Sequence, residues 1–161
     1  MKTWIAVAAS AFFACTAAAE PTQDARAHAE AFAQACQSGD VTAVMALYAD
    51  DAVVVWPGHG QEAKGHAEIE RLVRALCTER SGTKLSLESI EVLPLDDTHV
   101  ATVGRWRNVT TGPRGQRVER EVRTTEVLVK RDGKWRYLVD HASIGAEPHR
   151  PGAGRRERRE R

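Results

Sequence analysis

The second half of the chain carries four long strand-like segments, "KLSLESIEVLPL", "HVATVGRWRNV", "RVEREVRTTEVLVKR" and "KWRYLVDHASIG"; the first alternates apolar and polar residues, and the third is charged on both faces. A period of two is the pattern of strands that turn one face toward a core. Their connections are "DDT", "TTGPRGQ" and the tight-turn dipeptide Asp132-Gly133, short enough only for antiparallel neighbours. A meander of this length has a face that must be covered, and the cover has to come from the residues before it.

Those residues read as helices. From Asp24 to Ser38, "DARAHAEAFAQACQS" puts Ala25, Ala29, Phe32, Ala33 and Cys36 on one helical face. Gly39 stands where a C′ glycine belongs and Asp40 where an N-cap belongs, opening a second, short helix over "VTAVMALYA". A strand, "AVVVW", stops at Pro57 before a glycine-rich loop. A third helix is expected over roughly 66–79, burying Ile69, Leu72, Val73, Leu76 and Cys77, with Glu68 and Glu70 in the first turn where the dipole favours them. The order predicts an α+β domain, three N-terminal helices packed on one face of a curved antiparallel sheet.

Residues 1–19 read as a cleaved secretory signal peptide. "MKT" supplies the positive charge, "WIAVAASAFFA" the apolar stretch and Ala17-Ala18-Ala19 the small-residue cleavage site. The apolar run is too short for a membrane span. A lipidated Cys15 is the lesser alternative, because phenylalanines precede it. The folded domain is then 20–148, followed by a tail over 149–161. From Arg150 the tail holds six Arg and two Glu, with Pro, Gly and no apolar run, and reads as a disordered, solvated segment. An exported chain is expected in the periplasm or secreted, where nucleic acid is not an expected partner. The mature chain keeps Cys36 and Cys77, which an oxidising compartment allows to pair if their Cα atoms lie within about 7 Å. Neither a metal nor a cofactor is expected: the sequence lacks zinc-ligand spacing, a phosphate-cradling glycine loop and a dinucleotide fingerprint.

The words "SGD", "LYADDAVV", "WPG", "KGHAEI" and "DGKWRYLVDHAS", in that order over residues 24–146, resemble the NTF2-like superfamily, most closely its SnoaL-like and DUF4440-like members. The last hairpin is also similar to the association domain of calcium/calmodulin-dependent kinase II. The resemblance implies a conical half-barrel with a pocket between the concave sheet and the helices. It leaves function open, since such folds host isomerases, hydrolases, dehydratases, binders and oligomerisation modules. Where ketosteroid isomerases of this superfamily carry a general-base aspartate just before the proline, this chain has Trp56, whose indole takes no carbon-bound proton. Their oxyanion-stabilising tyrosine falls at Ala31, and their protonated aspartate near Thr125 or Glu126. Two losses in three count against a steroid isomerase.

Trp56 is read as an apolar wall of the pocket, with plain core packing as the alternative. Arg105 aligns with an arginine that the kinase association domain places in its pocket; the alternative is an exposed sheet arginine. Arg123 is a second candidate. Uniform alternation along the last strand puts Trp135, Tyr137, Val139, His141 and Ser143 on one face, read as the concave one, and Asp140 on the other. His141 there would serve as acid, base or donor. His59 and His66 flank the loop at the pocket mouth. The expectation is a protein that binds a small, carboxylate-bearing organic molecule. Trp56 and Tyr137 would cover the body, Arg105 and Arg123 anchor the carboxylate, and His141 orient a second oxygen. The long strands carry apolar residues on both faces, so a homodimer through the sheet exterior is expected as well. Two other readings stand: a cofactor-free isomerase, cyclase or hydrolase using His141, and an oligomerisation module with a vestigial pocket.

Overall fold

The computed structural model describes residues 19–57, 62–77 and 83–145. Most of the expected signal peptide, the basic tail and His59 lie outside them. The elements are α1 (Ala19–Ser38), α2 (Val41–Met45), β1 (Tyr48–Val55), β2 (Glu62–Lys64), α3 (Gly65–Leu76), β3 (Lys84–Pro94), β4 (His99–Thr111), β5 (Arg117–Arg131) and β6 (Lys134–Ile144).

Helix α1 buries Ala25, Ala29, Phe32, Ala33 and Cys36 as the spacing predicts, and His28 with them. It starts five residues earlier than the periodicity suggests. Gly39, at φ 71°, turns the chain out of the helix, and Asp40 accepts a hydrogen bond from the Ala43 N–H at 2.9 Å. Helix α2 is only one turn, shorter than expected. The chain is diverted because the Tyr137 N–H donates to the Leu47 carbonyl at 2.8 Å and Tyr48 aligns with Tyr137, so "YA" becomes strand. Here tertiary pairing overrides local helix preference.

The six strands form one sheet in the order β2-β1-β6-β5-β4-β3. The meander β3–β6 is antiparallel throughout, closed at Asp132-Gly133 with both residues at positive φ. β1 joins its far edge parallel to β6, so the sheet is antiparallel-dominated rather than wholly antiparallel. α1 packs over β3 and α3 over β1. A disulfide joins Cys36 to Cys77, with Cα atoms 4.5 Å apart, tying the ends of α1 and α3 together across 41 residues of chain. Closing a loop of that length removes about 4 kcal/mol of unfolded-chain entropy.

One irregularity decides which side chains reach the concave face. Val127 pairs with Val139 but Leu128 pairs with Tyr137, so Leu138 is an extra residue on β6, a β-bulge. The alternation along β6 inverts at that point. Tyr137 and Asp140 are both buried on the concave side, whereas Val139 and His141 are exposed. The uniform alternation expected for this strand is corrected accordingly.

Candidate functional site

Concave-face residues of β4, β5 and β6 stand in cross-strand rows, and each row has its own chemistry. The deepest is Thr102–Glu126–Asp140. Next come Gly104–Thr124–Ala142, then Trp106–Val122–Ile144, and last the pair Asn108–Arg120. Phe32 from α1 lies over them, with its ring at right-angled contact to Tyr48, Trp56, Trp106 and Tyr137 at 6.2–6.4 Å between centroids. A cavity of ≈ 240 Å³ opens between these aromatics and the sheet, and Glu126, Asp140, Asn108 and Arg120 all line it.

Its deep end is acidic. Asp140 and Glu126 face each other across β6 and β5, 5% and 3% exposed. The Tyr48 hydroxyl donates to Asp140 Oδ2 at 2.6 Å, and the Trp56 Nε1–H donates to the same oxygen at 2.8 Å. Thr102 and Thr124 hydroxyls donate to Glu126, and Trp106 Nε1–H donates to Thr124 Oγ1 at 3.2 Å. Burial, with the nearby Asp140 carboxyl, pushes Glu126 up to about 7. Burial also raises Asp140, against the bonds from Tyr48 and Trp56 that favour its ionised form. Two carboxyls so placed cannot both ionise cheaply and share one proton near neutrality. Each carboxyl accepts from two neutral donors, so the shared proton belongs to the pair, and Glu126 is the member raised to about 7. Burial and the same acidic neighbours raise the Tyr48 and Tyr137 hydroxyls well above the ordinary range, so both stay protonated.

Gly104 makes the Trp106–Thr124 bond possible. A Cβ at position 104 would lie 2.5 Å from Thr124 Oγ1 and 2.9 Å from Trp106 Nε1, so any side chain there would displace the indole.

Trp56 and Tyr137 line the cavity. Arg105 and Arg123 do not: both lie on the convex face, where Glu121 reaches Arg105 at 3.7 Å and Arg123 at 3.4 Å. The charged odd positions of β4 and β5 face solvent and the even ones face the core, so Trp106 takes the inward place that Arg105 was expected to hold. His141 is carried to the convex face by the bulge. His66 contacts the Tyr48 carbonyl at 3.2 Å and Asp50 at 3.5 Å, away from the cavity lining.

Sequence reasoning missed Phe32 as a floor, Trp106, Thr124, and the pairing of Glu126 with Asp140. The uncharged even positions of β4 were a usable signal for Trp106. Nothing local announces the bulge that turns Asp140 inward. Among the described residues, no group of three His, Cys, Asp or Glu side chains is placed to hold a metal ion.

A family model described as "SnoaL-like domain" matches residues 25–147. Among curated proteins, none matches the chain. Among solved structures, the fold is similar to a Xanthomonas campestris protein designated a calcium/calmodulin-dependent protein kinase II association domain. That pair shares 25% identity over 78% of this chain and 89% of the other, at a TM-score of 0.70. A ketosteroid isomerase-like protein from Erwinia carotovora atroseptica superposes with a TM-score of 0.66 at 20% identity, over 80% of this chain and 98% of that one. A type 2 hexachlorocyclohexane dehydrochlorinase gives 0.68 at 15% identity, over 81% and 86%.

Proposed function

Because this chain belongs to the SnoaL-like family of the NTF2-like superfamily, we propose that it binds a small, mostly apolar organic molecule in the cone, with a hydrogen-bond donor of that molecule held against Asp140. The observation that carries this reading is the placement of two buried carboxyls, Asp140 and Glu126, side by side at the deep end of an aromatic-walled cavity. Such a site combines a large apolar area with a few convergent polar groups, the usual make-up of a ligand pocket. Its deep end repels an anion. The carboxylate anchor expected at Arg105 and Arg123 is withdrawn, since both face solvent.

A second reading follows from the same pair. Glu126, raised to about 7, is poised to give and take a proton near neutrality, with Asp140 as the carboxyl it shares that proton with. That supports a cofactor-free proton-transfer enzyme in which Glu126 and Asp140, rather than His141, move the proton. Neighbours designated a dehydrochlorinase and isomerase-like are consistent with it.

Titration with para-cresol, followed by quenching of tryptophan fluorescence, tests the binding reading. The phenol should saturate the wild type, and Asp140→Asn should weaken it roughly tenfold, the loss of one charge-assisted hydrogen bond. Equal affinity in Asp140→Asn, or no saturable quenching, would overturn it.

Export and pairing are part of the proposal. Ala17-Ala18-Ala19 after an apolar run supports cleavage, and a Cys36–Cys77 bond suits an oxidising compartment. Val103, Val139 and Leu93 are exposed, which supports a homodimer through the sheet exterior. Intact mass and light scattering of the mature protein check both. A retained Met1 would remove the first, and a monomer mass at micromolar concentration the second.

A further inference from the structure

The row at the cavity's other end contains a polar atom left over by the fold. Asn108 Oδ1 is buried and has no hydrogen-bond partner among the described residues, although Asn108 lines the cavity. A buried carbonyl oxygen without a donor is costly, by roughly the desolvation of the group, and native interiors rarely leave one so. Arg120, directly opposite on β5, lines the same end and brings donors only. The two side chains together therefore ask for one donor and one acceptor on a neighbouring group.

We propose that Asn108 and Arg120 form a second polar subsite that takes an amide-type edge of the ligand, an N–H beside a carbonyl oxygen. The ligand's N–H donates to Asn108 Oδ1, and its carbonyl oxygen accepts from Arg120 and from the Asn108 amide. A carboxylate satisfies Arg120 but leaves Oδ1 without a donor. An N,N-disubstituted amide fails in the same way. This assignment rests on the binding reading above and adds the ligand's second functional group to it.

The geometry sets the ligand's length. Arg120, Val122, Thr124 and Glu126 succeed one another on the inward face of β5, so the two polar rows are about 20 Å apart along the strand. The rows between them present Val122, Ala142, Ile144 and the Trp106 indole, with the Thr124 hydroxyl already engaged by Trp106 and Glu126, so the middle is mostly apolar. Once the side chains and a hydrogen bond at each end are subtracted, one ring and a short linker bridge the gap. The cavity therefore selects a molecule with a hydroxyl-type donor at one end, an apolar body, and an amide edge at the other.

Three probes test this by tryptophan quenching: para-hydroxyphenylpropionamide, its N,N-dimethylamide and the matching propionate. Wild type should bind the primary amide about tenfold tighter than the dimethylamide, as expected for one buried hydrogen bond. Asn108→Ala should erase that preference, and Asn108→Asp, which keeps an acceptor, should retain it. Equal affinity of wild type for the two amides would overturn the subsite, and so would tighter binding of the propionate. The wild-type comparison holds even if a variant misfolds. If para-cresol binds and none of the three probes does, the subsite falls while the binding reading survives. If para-cresol fails as well, both fall.

Discussion

The two faces of the sheet use charge in opposite ways. The convex face of β3–β5 is a ladder of exposed ion pairs: Arg107 reaches Glu88 at 3.1 Å and Glu119 at 3.4 Å, while Arg105 and Arg123 share Glu121. Among the described residues, the concave face has two carboxyls deep inside, no cation beside them in the deep row, and neutral donors around them. Water solvates the first set, so each pair contributes little. The second set has lost its water, and the protein stabilises it by sharing a proton and by four donor side chains. Charge is abundant where it costs little and scarce where it can do chemistry.

Three measurements would sharpen or break that contrast. The largest effect should come from the concave side. Phe32→Ala removes the ring that touches Tyr48 and the cavity aromatics Trp56, Trp106 and Tyr137, and it should cost about 3–5 kcal/mol in urea unfolding, as for buried aromatics elsewhere. A loss under about 1 kcal/mol would mean that the cavity collapses freely and is not a built pocket.

The second concerns protons. Glu126 is raised in the fold to about 7, so its contribution to stability is fully present below its unfolded value of 4.5 and is lost as pH rises through about 7. The full swing is of order 3 kcal/mol. Glu126→Gln removes the titration, so its stability relative to wild type should climb between about pH 5 and pH 8. His28 runs the other way. Burial against Tyr137 lowers it to about 4, so its contribution is present above 6.5 and is lost as pH falls through about 4. Between about pH 4.5 and 6.5 the two slopes oppose one another. A Glu126→Gln difference that stays flat with pH would show that the carboxyl is ionised and solvated in the fold.

Much of this architecture is legible in the chain, and the losses have identifiable causes. The α1 stripe, the Gly39-Asp40 junction and the Asp132-Gly133 turn are local signals, set by sterics within a few residues, and each appears where the sequence puts it. The carboxyl pair is not local. It depends on Leu138 bulging out of β6 and on the register that sets Glu126 opposite Asp140. A one-residue slip exchanges the two faces of a strand, so simple alternation assigned His141 to the pocket and Asp140 to solvent. Trp56 keeps the parity of Ala52 and Val54, both buried, because the irregularity of its strand lies upstream, between Tyr48 and Val53. Arg105 went astray for a different reason: a likeness to another pocket outweighed the charged odd positions of its own strand.

The smallest effect belongs to the convex ladder. Arg105 and Glu121 stand 3.7 Å apart, and their side chains are 62% and 50% exposed. Solvent and salt screen such a pair, and holding two long side chains in one geometry offsets part of the attraction. Arg105→Ala should shift stability by no more than about 0.5 kcal/mol, and a double-mutant cycle with Glu121→Ala should return a coupling of the same small size that fades as salt is added. The same variant should leave para-cresol affinity unchanged, because the guanidinium is on the wrong side of the sheet to touch a ligand in the cone. A tenfold loss of affinity in Arg105→Ala would contradict the placement directly. It would require the strand to turn its odd positions inward, and the two faces would then have to exchange roles.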